Sequence, residues 1–269
     1  NTTIRDNIGD PETVRKTIVG IIGITGREGA DIVIERNRIT RNSWDGIALY
    51  RGAQAVIRDN VIDGVDKARG DQVGGGRGVA IGMTWDARAV VERNLVTRYW
   101  KGIGAFVSAR AEIRHNIVED VITWGISLWD AGKGNAAAAI EGNAVYRAGA
   151  CGASITREAP CEGDLCSAMN NAFVLTGLNA KYDPPDYYCR QEALAREAVP
   201  AGFQIAGNSF HLNREAEGKP GHEDVSREAF LTAVQPLVAE LRQSPVLSRS
   251  RFLAEVDRLP ENLAEVTPP

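Results

Sequence analysis

The sequence predicts an all-β parallel solenoid with a small C-terminal helical cap. Three observations predict it: a passage that recurs about every 23 residues, apolar alternation inside each copy, and a Gly-led apolar strand after most copies. Near Ser226 the apolar period changes from that of a strand to that of a helix.

The recurring passage reads ADIVIERNRIT from Ala30, AQAVIRDNVID from Ala53, ARAVVERNLVT from Ala87 and ARAEIRHNIVE from Ala109, with a weaker AAAAIEGNAVY from Ala136. Its Asn falls at 37, 60, 94, 116 and 143, in steps of 23, 34, 22 and 27. The long step holds a Gly-rich insertion, Lys67 to Arg77. Ahead of the Asn, residues such as Ala30, Ile32 and Ile34 alternate as in a strand with one buried face. Behind it, Ile39, Ile62, Val96, Val118 and Val145 mark a second inward position. A third strand starts at a Gly in GIALY from Gly46, GVAIG from Gly78, GIGAF from Gly102 and GISLW from Gly125. Three short strands per copy leave no room for a helix.

Two columns support stacking of the copies. The Asn residues would lie above one another and hydrogen-bond along the solenoid, as amide ladders do in stacked sheets. Glu35, Arg58, Glu92, Arg114 and Glu141 alternate in sign from copy to copy. Parallel strands are about 4.8 Å apart, so these opposite charges can pair and fix register.

The coils are expected over residues 1–160, followed at 161–215 by irregular, Cys-containing loops with room for a last coil around Asn170, Asn171 and the FQIAGNSF string from Phe203. A helical cap is expected over 216–269. Phe230, Leu231, Val234, Leu237, Val238 and Leu241 share one face of its first helix, which Pro236 should kink or divide. A second short helix spans Ser248 to Leu259, with Ser248 or Ser250 as N-cap. This tail is read as closing the solenoid end, with an oligomer contact as the alternative.

The chain has 269 residues, 28 glycines and a formal net charge of -4, which argues against a general nucleic-acid binder. No run is long enough for a membrane-spanning helix, and the chain reads as a mature or trimmed product. Cys151, Cys161, Cys166 and Cys189 cluster in loop-like sequence without a C-x-x-C pair, which suits one or two disulfides and a secreted, periplasmic or cell-surface location.

The repeat, its Asn column and its Gly-led strands resemble the right-handed parallel β-helix superfamily, which includes pectate lyases, polygalacturonases, alginate lyases and epimerases. The resemblance covers roughly Thr3 to Thr156 and is specific for fold. It implies polysaccharide binding along one parallel sheet. The polygalacturonase strings Asn-Thr-Asp, Asp-Asp, Gly-His-Gly and Arg-Ile-Lys are absent, as is the Asp-Pro-His of alginate epimerases. No activity therefore transfers residue by residue.

The Gly-led strand is the expected binding sheet, because the long insertion precedes it. Its outward positions are read as a small column, Ala48, Ala80, Gly104, Ser127 and Ser154. Beside it runs a second, Tyr50, Gly82, Phe106, Trp129 and Thr156. Rings beside a shallow floor suit the C–H faces of sugars. Asp45, Arg77 and Lys101 each precede the Gly, which would make Arg77 and Lys101 neighbours on adjacent coils. A lyase acting on uronic acids needs a cation to neutralise the C6 carboxylate and a base to take the C5 proton. Lys101 and Arg77 are the catalytic candidates, with Asp45 orienting them. Substrate would bind Tyr50, Phe106, Trp129, Asp130 and Arg157. Arg51, Asp86, Asp130, Arg157 and Glu158 form a second cluster near the strand exits, able to serve a hydrolase or to hold Ca²⁺. None of the three histidines has metal-ligand spacing, and no metal site is assigned.

The reading is an exported protein that binds an acidic polysaccharide and is equipped to cleave it by β-elimination. Its alternatives are a non-catalytic adhesin-like or structural module and a hydrolase with paired carboxylates.

Overall fold

Each copy of the repeat folds into one coil of a parallel β-solenoid. The computed structural model describes residues 1–10, 12, 21–64, 78–179, 192–214 and 223–266. Three parallel sheets run along its length. Sheet 1 has eight described strands, from Thr3–Arg5 through Leu95–Thr97, Ile117–Glu119 and Ala144–Tyr146 to Ser209–His211. Sheet 2 has seven, including Ile47–Leu49, Val79–Met83, Lys101–Phe106, Trp124–Trp129 and Cys151–Thr156. Sheet 3 has seven, including Gln54–Arg58, Arg88–Glu92, Arg110–Arg114 and Ala137–Glu141. The inward residues form one continuous apolar core, with Ile57, Ile62, Ile81, Val91, Val96, Ile113 and Ile126 fully buried.

The Asn column is a working ladder. From Asn37 to Asn208 each side-chain amide donates to the carbonyl of the next Asn, as in Asn60 to Asn94 (2.9 Å), Asn94 to Asn116 (3.0 Å) and Asn116 to Asn143 (3.0 Å). The same carbonyl accepts the backbone N–H of the preceding Asn. The residue ahead of the ladder is left-handed in coil after coil, including Arg36, Asp59, Arg93 and His115. That conformation is unfavourable for side-chain-bearing residues. The buried amide network offsets it by holding the turn. The charge column pairs as expected where Arg58 meets Glu35 and Arg114 meets Glu92.

The coils continue through the stretch expected to be irregular. Cys166–Met169, Ala172–Val174, Glu192–Ala198, Gln204–Ala206 and Ser209–His211 all add to the three sheets. Cys161 and Cys166 form a disulfide, and Cys151 is also disulfide-bonded.

The tail is helical but lies elsewhere than expected. Helix α1 (Arg227–Leu241) and helix α2 (Arg251–Glu255, N-capped by Ser250), which follow the last coil in sequence, pack along the outer flank of sheet 1. Phe230, Val234, Leu241, Phe252 and Val256 cover Leu95, Ile117, Ala144, Tyr146, Ala172 and Val174. Helix α1 runs through Pro236 undivided. Three of its turns are already held by the buried face, which outweighs one missing backbone donor. Among the described residues, no helix is long and apolar enough to cross a membrane.

Candidate functional site

The register of sheet 2 decides what can meet on its outer face. Ile47 lies opposite Ile81, Ile81 opposite Ile103, and Val79 opposite Lys101. This corrects the sequence alignment by two residues. Gly82, rather than Ala80, joins the small column of Ala48, Gly104, Ser127 and Ser154. Ala80 is buried in the core, and Thr84 takes the place beside Tyr50 expected for Gly82. The neighbour of Lys101 on the adjacent coil is therefore Val79. Arg77 lies outside the described residues.

Gly78, read from sequence as the head of the strand, has a different use. A Cβ there would come within 2.0 Å of Asp45 Oδ1. The bare glycine leaves room for the Asp45 carboxylate, which accepts the Val79 N–H at 2.7 Å and lies 3.4 Å from the Tyr50 hydroxyl. Gly104 makes a second allowance, since the Phe106 ring folds across it where a Cβ would meet Cζ at 2.1 Å.

These residues line a pocket of about 330 Å³ with Trp44, Trp100, Val79 and Thr84 around Asp45, Tyr50, Lys101 and Phe106. Four of the eight residues singled out from sequence thus come together here. The Lys101 ammonium stands 5.8 Å from the centre of the Trp124 ring, and Phe106 packs edge-on against Trp124 and Trp129. Burial dominates the electrostatics. It pushes the Asp45 carboxyl up to about 6, against the opposing pull of the Val79 N–H and the Lys101 charge. It pushes the Lys101 ammonium down, with the Asp45 charge acting the other way. The Tyr50 hydroxyl is pushed up to about 12 by burial and by Asp45. An acid and an amine, each shifted toward its neutral form inside a cleft, mark this pocket as a candidate functional site.

The remaining candidates fall outside the pocket lining. Trp129 borders it through Phe106. Asp130 is buried and spends its oxygens on the N–H groups of Gly132 (2.8 Å) and Glu158 (2.9 Å). Arg157 is also buried, donating to the carbonyls of Ala159, Ala136, Asn135 and Pro160. Both hold turns together in this structure. Arg51 pairs with Glu28, and Asp86 and Glu158 are exposed. Among the described residues, no group of three or more His, Cys, Asp or Glu is placed to hold a metal ion. Trp44 and Trp100, which the sequence places near the entries of the Gly-led strands, were left out of the site assignment, and Thr84 was missed as a lining residue. The recurrence of Trp just ahead of the Gly-led strands was the available signal.

A family model described as the right-handed β-helix region matches residues 21–210, so the chain belongs to that family. Searches of curated proteins and of solved structures gave no match.

Proposed function

We propose that this right-handed β-helix protein is exported and carbohydrate-active, binding an acidic polysaccharide at the sheet 2 pocket and cleaving it by β-elimination. One observation carries the reading: Asp45, Tyr50 and Lys101, from three points along the coils, converge in one aromatic-walled pocket. Rings of Trp44, Trp100 and Phe106 offer faces for sugar C–H groups. The disulfide between Cys161 and Cys166 fits an oxidising compartment.

Burial disfavours both charges of the Asp45–Lys101 pair, so the Lys101 ammonium gives up its proton, and the Asp45 carboxylate takes one, more readily than in water. As the free amine, Lys101 takes the C5 proton of a uronate. The electron pair of that bond becomes the C4–C5 double bond as the C4–O bond breaks. Asp45 supplies the proton that the departing oxygen requires. Arg77 is the proposed cation for the C6 carboxylate, and Trp129 a neighbouring stacking surface.

The test is a screen of pectate, alginate, chondroitin and neutral glycans, with and without Ca²⁺, reading near-ultraviolet product absorbance and new reducing ends together. Both signals are expected on one uronate polymer, and both should disappear in Lys101→Ala. Reducing ends without absorbance would replace the lyase reading with a hydrolase. Tight binding with neither signal would make the protein a non-catalytic module. Activity unaffected in Lys101→Ala would remove the residue from the chemistry.

A further inference from the structure

On the outer face of sheet 3, one column pairs its charges from coil to coil and a second does not. In the column of Glu35, Arg58, Glu92 and Arg114, acids and bases alternate and pair. On the same strands, Arg88 and Arg110 stand directly opposite each other. Neighbouring strands are about 4.8 Å apart, and like charges facing one another at that spacing destabilise a sheet. Both side chains are exposed, and neither makes an ion pair or side-chain hydrogen bond with a described residue. Glu112, the nearest acid on the strand, is already held by Arg114 at 2.8 Å. Arg157 adds to the positive field. After burial, the charge of Arg110 is the main influence pushing its guanidinium down.

The two arginines flank a shallow groove of about 320 Å³. Val56 and Val90 lie in its floor, in register with the exposed Val33. Leu165 closes one side from the loop pinned by the Cys161–Cys166 disulfide, which packs over Ala137, the next residue in the arginine column.

We infer that Arg88 and Arg110 form a second binding site that clamps a sulfate or carboxylate group of an acidic saccharide, whose ring lies on the Val56–Val90 strip. Two guanidinium forks on adjacent strands can hold one oxyanion between them, and the anion removes the repulsion that the empty pair carries. The site is on a different sheet from the pocket, so it stands whether or not the pocket cleaves anything.

The experiment measures binding of short dextran sulfate and of neutral dextran of equal length by calorimetry, with thermal unfolding in sodium sulfate against sodium chloride of equal ionic strength. The sulfated chain is expected to bind and the neutral one not. Arg88→Gln with Arg110→Gln should weaken binding by about tenfold or more, each single change giving an intermediate loss, while Arg242→Gln on the tail, which removes one exposed positive charge elsewhere, leaves binding unchanged. Sulfate should raise the midpoint of the native protein more than that of the double variant. The double variant, relieved of repulsion, should unfold no earlier than the native protein in chloride. Equal binding by the double variant, an equal loss of binding in Arg242→Gln, or no preference for the sulfated chain would overturn the inference. So would a large fall in the double variant's midpoint, which would give the arginines a structural role instead.

Discussion

The flank of sheet 1 and the outer face of sheet 2 are built on the same coils yet end differently. On sheet 1 the outward column is Thr40, Asp63 and Thr97 in the early coils, then Glu119, Tyr146 and Val174. Where it turns apolar, two helices cover it. On sheet 2 the outward column stays small, through Ala48, Gly82, Gly104 and Ser127, and the larger rings stand around a pocket. Each face also buries a carboxyl that is pushed up. Glu119 is pushed up to about 7 and Asp45 to about 6, with burial the largest cause in both. Glu119 accepts the N–H groups of Arg251 and Phe252 at the start of helix α2, so its oxygens are committed to docking the tail. Asp45 takes one backbone N–H and otherwise faces Tyr50 and Lys101 in the pocket. A shifted pKa is therefore common to both faces. What separates a structural acid from a candidate catalytic one is the set of groups that its oxygens meet.

The largest effect expected on this comparison is from Phe252→Ala. The ring is fully buried between the tail and Tyr146, and its loss should cost about 3–5 kcal/mol in denaturant unfolding. Glycan binding in the pocket should survive while the protein is folded. Loss of binding at full folding would show that the two faces are coupled.

Next is the pH dependence of Asp45. Its carboxyl is raised in the folded state from 3.8 to about 6, so the folded protein holds that proton more tightly than the unfolded chain. The resulting stability is fully present below the unfolded value and is lost as pH rises through the folded value. A shift of this size corresponds to roughly 3 kcal/mol. Asp45→Asn should flatten the unfolding free energy between about pH 4 and 6 relative to the native protein, while the Glu119 contribution, reaching to about 7, persists. An unchanged pH profile would mean that Asp45 is solvated.

Gly78→Ala sharpens the comparison at one atom. The new Cβ must displace the Asp45 carboxylate from the Val79 N–H, at an expected cost of about 1–3 kcal/mol. The Asp45 carboxyl, followed by NMR, should rise further, because it loses the N–H that holds it down. The smallest effect is expected from Glu35→Gln, which removes a half-buried partner of Arg58 at the solvent face and should leave the thermal midpoint nearly unmoved.

Much of the fold was legible because the repeat acts locally. Apolar alternation gave the three strands of a coil, and the recurring Asn gave the ladder that the structure displays from Asn37 to Asn208. The register of Val79–Met83 was not legible. A slip of two residues leaves the alternation of a strand unchanged, so Gly78 could pass for the counterpart of Gly46. Half of the proposed site residues came together despite that slip. Asp45, Tyr50, Lys101 and Phe106 needed only the choice of sheet to be right. Asp130 and Arg157 fall outside the pocket lining, and their partners are backbone groups that no sequence pattern displays.

By itself, then, the sequence determined the coil, its ladder and its helical tail, since each follows from the period of side chains along a few consecutive residues. Tertiary structure decided which flank the tail covers, which strand residues face each other, and how far Asp45 and Lys101 are shifted. Those depend on contacts between residues one coil or more apart, and on the water those contacts exclude.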